Sequence, residues 1–388
     1  MPPRSDPLPV PDAHARAHSE RVSAAIHAAI AKHGGWIPFS TYMHIVLYAP
    51  GLGYYVAGSR KFGAAGDFVT APELTSLFGR TLAAPVAQIL ATTARRDVVE
   101  LGAGTGRLAR DLLGELRRHG DAPGRYMIVE VSPELRERQR ATLATELPEL
   151  FDRVEWRDDL PTGIDGVVIL NEVLDAIPAH VVVRRHGDWF ERGVVSAPAG
   201  FACDDRALPG PLRSLAETRL PPVVDYLSEI NPAAEALIET VGRRLSGGAM
   251  LAIDYGFPRH ELYHPQRCNG TLMGHYRHRS HADPFLWPGL SDLTTHVDFT
   301  AMAEAGERAG LAVAGFATQS AFLVGAGLLE LLAAVGVPES VDYIREAAAV
   351  QRLVSPAEMG ELFKVLALAS DPALDLAAFS LADQSHRL

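Results

Sequence analysis

The chain is poor in the residues that mark several common designs. It has 2 cysteines, Cys203 and Cys268, far apart and without paired spacing, so neither a disulfide framework nor a thiolate metal site is indicated and a reducing compartment is expected. No apolar run reaches the length of a membrane span, and prolines stand where a signal peptide carries its apolar core in MPPRSDPLPVPDAHARAHSERV. Positive charge is also short. Against 47 Asp and Glu there are 36 Lys and Arg, a formal net charge of −11 that argues against a general nucleic-acid binder and suits basic partners. There is no Gly-Lys-Ser/Thr phosphate loop, no internal repeat and no low-complexity tract. These absences read as a cytoplasmic, bacterial-type protein, with a short Arg-containing leader keeping a mitochondrial matrix origin as the alternative. With 47% hydrophobic and 21% charged residues the remainder is ordinary globular chemistry.

What is present is a strand-turn-helix signal. The apolar run Val98-Val99-Glu100-Leu101 passes through Gly102, Gly104 and Gly106 into a helical pattern that places Leu108, Leu112 and Leu116 on one face. Glycines there let backbone and ligand approach where a Cβ would collide. Arg107 and the residues after it lack the third glycine of a dinucleotide fingerprint, which weakens both phosphate-binding readings. An acid two residues before the first glycine suits a nucleoside carrying an amino acid and a cation: S-adenosyl-L-methionine, with S-adenosyl-L-homocysteine as its product.

Strand and helix patterns then alternate. Strands are predicted at 97–101, 126–131, 153–156, 166–171, 248–254, 310–318 and 362–368, and helices at 106–118, 133–146, 232–245, 298–309 and 325–335. Such alternation implies an α/β fold, a parallel sheet with helices on both faces that binds ligands beyond the carboxyl ends of its strands. Residues 1–18 read as a flexible N-terminus and 19–80 as a helical N-terminal cap. The main domain follows over 81–388, interrupted by extra strands and a Pro-rich loop at 181–230 and a Gly-, His- and Pro-rich insertion at 255–297.

The candidate chemistry falls at strand ends. Glu130 either accepts both ribose hydroxyls or caps the next helix. Asp158 is the favoured acceptor for the adenine amino group, with Asp159 beside it. The run Val167–Pro178 delivers Asn171, Glu172 and Asp175 to one strand tip, with Glu172 and Asp175 three residues apart as on one helical face. Two carboxylates beside a sulfonium suit a cationic acceptor. A guanidinium is planar and always protonated, and a carboxylate pair can hold it in fork geometry. The competing reading makes Asp175 a helix cap and Glu172 the partner of a structural arginine. Asp67 and Thr70, in GDFVTAPE ahead of a helix, are candidates for the methionine end of the cofactor. His296 and Asp298 could orient substrate, or Asp298 could simply cap a helix. His275, His278 and His281 recur at intervals of three, but no fixed fourth ligand accompanies them and no metal is expected.

The ordered motifs LYAPGLGYY, KFGAAGDFVTAPE, VVELGAGTGRLARDLL, LNEVLDAIP, AIDYG, HADPFLWPG, SDLTTHVDF, TQSAFL and QRLVSPAEMGELFKVLAL together resemble the MidA-type methyltransferases, over about residues 36 to 370. That family includes the mitochondrial protein arginine methyltransferase of complex I assembly. The resemblance implies a Rossmann-like class I methyltransferase with a seven-stranded, mostly parallel sheet, and S-adenosyl-L-methionine held at Glu100, Gly102, Gly104, Gly106 and Glu130. It further implies ω-N methylation of an accessible arginine in a protein, such as a respiratory-chain subunit. Met273 stands where an Arg is usual in the family, a departure in the substrate-facing loop. Two other functions stay open: an assembly or binding factor that retains the cofactor pocket, and a small-molecule methyltransferase.

Overall fold

Seven strands pair into the main sheet: β1 (Asp97–Leu101), β2 (Arg125–Val129), β3 (Val154–Arg157), β4 (Ile164–Asn171), β5 (Leu245–Phe257), β6 (Ala312–Thr318) and β7 (Phe363–Ala369). The computed structural model describes residues 8–57 and 70–388. The strand order is β3-β2-β1-β4-β5-β7-β6, with a two-residue strand, Val297–Asp298, beside β5. Strands β1 to β5 run parallel, while β7 is antiparallel to both β5 and β6. The order reverses between β1 and β4, where Leu101 lies opposite Leu170, so the two strand tips that carry the glycine turn and Asn171-Glu172 are neighbours.

Sequence explains why this sheet forms. Strands β1 and β4 are almost wholly buried and read as continuous Val, Ile and Leu runs rather than alternating ones, as parallel strands covered on both faces must. The helix after the glycine turn, α1 (Arg107–Arg118), buries Leu108, Leu112 and Leu116 in the same core as Val98, Ile128, Val167 and Ile169. Each leucine contributes roughly 1.5–3 kcal/mol of burial. Helix α2 (Pro133–Glu146) starts with Ser132 accepting the Leu135 N–H and Pro133 in its first turn.

The chain divides into two compact units. The main sheet belongs to the unit built from residues 70–175, 234–262 and 297–388. The other, within residues 1–69, 176–233 and 263–296, takes in the N-terminal helices and most of the two stretches expected as insertions. It holds an antiparallel sheet of Ile37–Pro38, Asp188–Ala197, His180–Arg185 and Tyr226–Ile230, with Gly200–Ala207 paired to the second of these. Its core joins Val22, Ile26 and Ile30 of helix Ala13–Lys32 to Tyr42, Met43 and Leu47 of helix Phe39–Tyr48 and to Val181 and Val194 of the sheet.

Four local differences from the sequence expectations have physical causes. The first helix begins at Ala13, inside the segment expected to be loose, because Asp12 accepts the Ala15 N–H at 2.8 Å. The helix expected over 325–335 is two short ones, Gln319–Gly325 and Leu328–Ala333, broken where Gly327 turns left-handed at φ 94°. Within the stretch expected as strands and a Pro-rich loop, Gly210–Arg219 is helical, with Pro in its first turn. Val341–Val354 is a helix capped by Ser340 that the strand-helix alternation did not reveal.

Candidate active site

The glycine turn leaves β1 with three residues in the left-handed region, Gly102 at φ 65°, Gly104 at 52° and Gly106 at 85°. A Cβ on Gly104 would meet nothing within 4 Å, so the turn opens onto unfilled space there, whereas one on Gly106 would come within 3.2 Å of the Gln139 backbone. Two carboxylates stand behind the turn. Glu100 is buried on β1 and accepts the Tyr126 hydroxyl at 2.6 Å; burial, opposed by that hydrogen bond, pushes it up to about 7. Glu130, just past the end of β2, is buried and accepts the Ser132 N–H at 2.9 Å and the Gln139 amide at 3.1 Å. Burial raises its pKa.

Sequence reasoning missed Gln139. Fully buried on α2, it donates one amide to both the Gly104 carbonyl (3.0 Å) and Glu130, and its oxygen accepts the Trp156 indole N–H at 3.0 Å. It thereby ties together the glycine turn, the β2 tip and β3. No sequence motif singles it out; the signal would have been a lone amide on the inward face of the second helix. Glu73 is a second omission. It accepts the Thr105 hydroxyl and pairs with Arg107, joining the short helix Ala71–Leu74 to the glycine turn.

At the tip of β4, Glu172 adopts φ 54°, a left-handed conformation that costs a residue with a Cβ about 1–2 kcal/mol. Its N–H donates to the Ile253 carbonyl of β5 at 2.9 Å. Its carboxylate accepts the Ala71 N–H at 3.3 Å and the Asn171 amide at 3.2 Å. The segment beginning at Thr70 therefore meets the β4 tip. Asp254, fully buried on β5, holds the following turn by accepting three successive backbone N–H groups, from Val173, Leu174 and Asp175, at 2.9 to 3.3 Å, and the Tyr255 N–H on its other oxygen. Desolvation and the nearby charge of Asp175 push Glu172 up to about 8 and raise Asp254 well above the carboxylate range. Asp254 stands in AIDYG, but only the β4–β5 pairing brings it to Glu172.

The remaining candidates are less central. Asp158 has an 88% exposed side chain held by Arg136 at 2.7 Å. Asp298 caps helix Phe299–Arg308 through the Ala301 N–H and pairs with Arg259 at 3.3 Å, so both oxygens hold structure, the alternative reading of that residue. His296 is half-buried in the other unit, and its backbone N–H donates to Thr271. Asp67 lies outside the described residues. Among the described residues no three His, Cys, Asp or Glu side chains gather as a metal site, and no helix is long and apolar enough to cross a membrane.

Residues 78–317 match the profile of an S-adenosyl-L-methionine-dependent methyltransferase family. The mitochondrial protein arginine methyltransferase NDUFAF7 homolog of Drosophila melanogaster is 30% identical over 408 residues, covering 93% of this chain and 88% of the relative. The chain belongs to this methyltransferase family. Human NDUFAF7, a mitochondrial protein arginine methyltransferase, is 30% identical over 375 residues, 87% of this chain and 81% of its own. A solved Burkholderia thailandensis structure bound to S-adenosyl-homocysteine is 48% identical, with a TM-score of 0.95 over 98% of this chain and all of that one. The fold is accordingly that of a class I methyltransferase, and the cofactor is S-adenosyl-L-methionine. The residues of this methyltransferase fit that cofactor: the turn is open in front of Gly104, and Glu130 is a buried acceptor fixed beside it.

Proposed function

We propose that this methyltransferase transfers a methyl group to a guanidinium nitrogen of an arginine in a protein acceptor. The observation that carries the reading is the carboxylate cluster at the β4 and β5 tips. Among the described residues neither Glu172 nor Asp254 forms an ion pair with Lys or Arg, and burial together with the nearby charge of Asp175 disfavours the ionised form of both, which an incoming cation would favour. The arginine named in the relatives' activity supports the same acceptor chemistry, and the resemblance suggests a respiratory-chain subunit as the first one to assay.

The cofactor supplies an electrophilic methyl on a sulfonium and leaves as S-adenosyl-L-homocysteine. Glu130, Gly102, Gly104 and Gly106 hold it, with Glu100 behind the turn and Thr70 and Asp158 at its ends. Glu172 clamps the guanidinium and Asp175 shares its charge, while Asn171 orients the Glu172 carboxylate through its amide. After the nitrogen has taken the methyl carbon, Glu172 accepts the N–H proton, so a neutral carboxyl and a methylated guanidinium remain. Positioning and charge stabilisation carry the rate, with no covalent enzyme intermediate. In Glu172→Gln, affinity for S-adenosyl-homocysteine measured by calorimetry stays within a few-fold while turnover collapses. Equal loss of both assigns Glu172 to the cofactor instead.

A further inference from the structure

The motif HADPFLWPG has no part in the chemistry above. In the unit that contains the N-terminal helices, it builds one wall of a groove of about 680 Å³. Phe285 and Trp287 line it from the motif, Phe201 from the antiparallel sheet, and all three rings are half-buried. Two exposed carboxylates, Glu20 of the first helix and Asp283 of the motif, face the same space with one guanidinium, Arg16. Among the described residues neither carboxylate forms an ion pair with Lys or Arg.

Trp287 is the unexpected element. Its φ is 46°, left-handed for a bulky aromatic residue, and it precedes Pro288, where extended backbone is favoured. The surrounding contacts hold it there. The Tyr42 hydroxyl donates to the Pro284 carbonyl at 2.6 Å, the Leu290 N–H donates to the Trp287 carbonyl at 3.0 Å, and Gly289 lies so close to Val22 of the first helix that a Cβ would come within 2.6 Å. The ring also meets that of Tyr276 edge-on, with centroids 5.3 Å apart. A strained residue held by its neighbours, its ring lining a groove beside two exposed acids that have no Lys or Arg partner among the described residues, motivates a recognition role. Aromatic rings with carboxylates attract a cation through ring quadrupole and charge together, and Arg more readily than Lys.

We propose that this groove docks a basic segment of the acceptor protein, with an arginine or lysine side chain against Trp287 and its charge met by Glu20 and Asp283. The proposal rests on the reading of a protein acceptor, and its test is independent of methyl transfer. A fluorescein-labelled Gly-Arg repeat peptide is titrated by anisotropy at low salt into full-length protein carrying Glu172→Gln, so that the proposed guanidinium clamp is removed. Binding is expected, together with failure of a Gly-Glu repeat peptide to bind. Trp287→Ala should weaken the Gly-Arg peptide roughly tenfold and Trp287→Phe much less. Glu20→Gln with Asp283→Asn, both exposed and compatible with folding, should weaken it roughly three- to tenfold. If transfer assays find no methylated arginine while these dependences hold, the groove stands and the acceptor chemistry falls. No peptide binding, equal binding of the Gly-Glu peptide, or binding indifferent to both sets of variants overturns the groove.

Discussion

Replacing Gln139 by leucine tests whether the cofactor pocket is organised from behind. The side chain is fully buried and makes three hydrogen bonds, to the Gly104 carbonyl, the Glu130 carboxylate and the Trp156 indole. Leucine keeps most of the volume and removes all three. The partners are unequal, since Glu130 is buried and acidic whereas Gly104 and Trp156 are half-exposed and can recruit water. Leaving a buried charged acceptor short of a donor costs about 1.5–3 kcal/mol, and the two solvated partners add little, so stability should fall by roughly 2–4 kcal/mol. Loss of the amide also frees the Glu130 carboxylate and the Gly104 peptide to reorient. One misplaced hydrogen bond to the ribose corresponds to about 1.4 kcal/mol, so affinity for S-adenosyl-homocysteine should drop roughly tenfold. Urea unfolding and calorimetry measure the two quantities on one preparation. Gln139→Glu separates them further, because it preserves shape while setting a second carboxylate against Glu130, and its affinity loss should exceed that of leucine. Ligand affinity within twofold of wild type in a folded Gln139→Leu protein would refute the reasoning.

The raised pKa of Glu172 gives a pH dependence with a definite sign. Its folded value of about 8 lies above the ordinary 4.5, so as pH rises from about 4.5 to 8 the unfolded chain ionises first and the ligand-free protein loses stability, levelling off above about 8. An arriving guanidinium favours the ionised carboxylate, so the KM for an arginine peptide should fall as pH rises from 6 to 8 and flatten beyond; in Glu172→Gln any residual turnover should lack that slope. Gly104→Ala should cost about 1–2 kcal/mol for a Cβ in the left-handed region and little more, because the added methyl meets open space, yet bind cofactor poorly, whereas Gly106→Ala should lose more stability, because it also crowds Gln139; melting curves with and without S-adenosyl-homocysteine distinguish them. Asp254→Ala removes the acceptor of four backbone N–H groups and should cost about 3 kcal/mol or more by urea unfolding, with turnover falling in parallel.

Much of the fold is visible in the sequence because the signals are local. The Val- and Leu-rich runs around Val98 and Val168 and the leucine face of α1 are consequences of periodicity and burial, and all three elements stand within a few residues of their expected bounds. The helix at Val341–Val354 was hidden because only Val350 and Leu353 of it are buried, too few for a clear periodic face. At the candidate site, Glu130 and Glu172 could be picked out because each follows an apolar strand. Asp254 and Gln139 could not be assigned, since their importance depends on which strand tip and which helix face they meet. Asp158 is likewise legible from its place just past β3, whereas the partner of its exposed side chain, Arg136, is not, since that contact depends on how α2 packs.

The most direct test of the central claim is the chemical identity of the labelled residue. Purified protein is incubated with methyl-labelled S-adenosyl-methionine and lysate proteins, the proteins are hydrolysed, and the amino acids are separated. The account predicts label in ω-N-methylarginine with wild-type protein and none with Glu172→Gln. Label in any other amino acid or only in small molecules, or equal labelling by the variant, would contradict it.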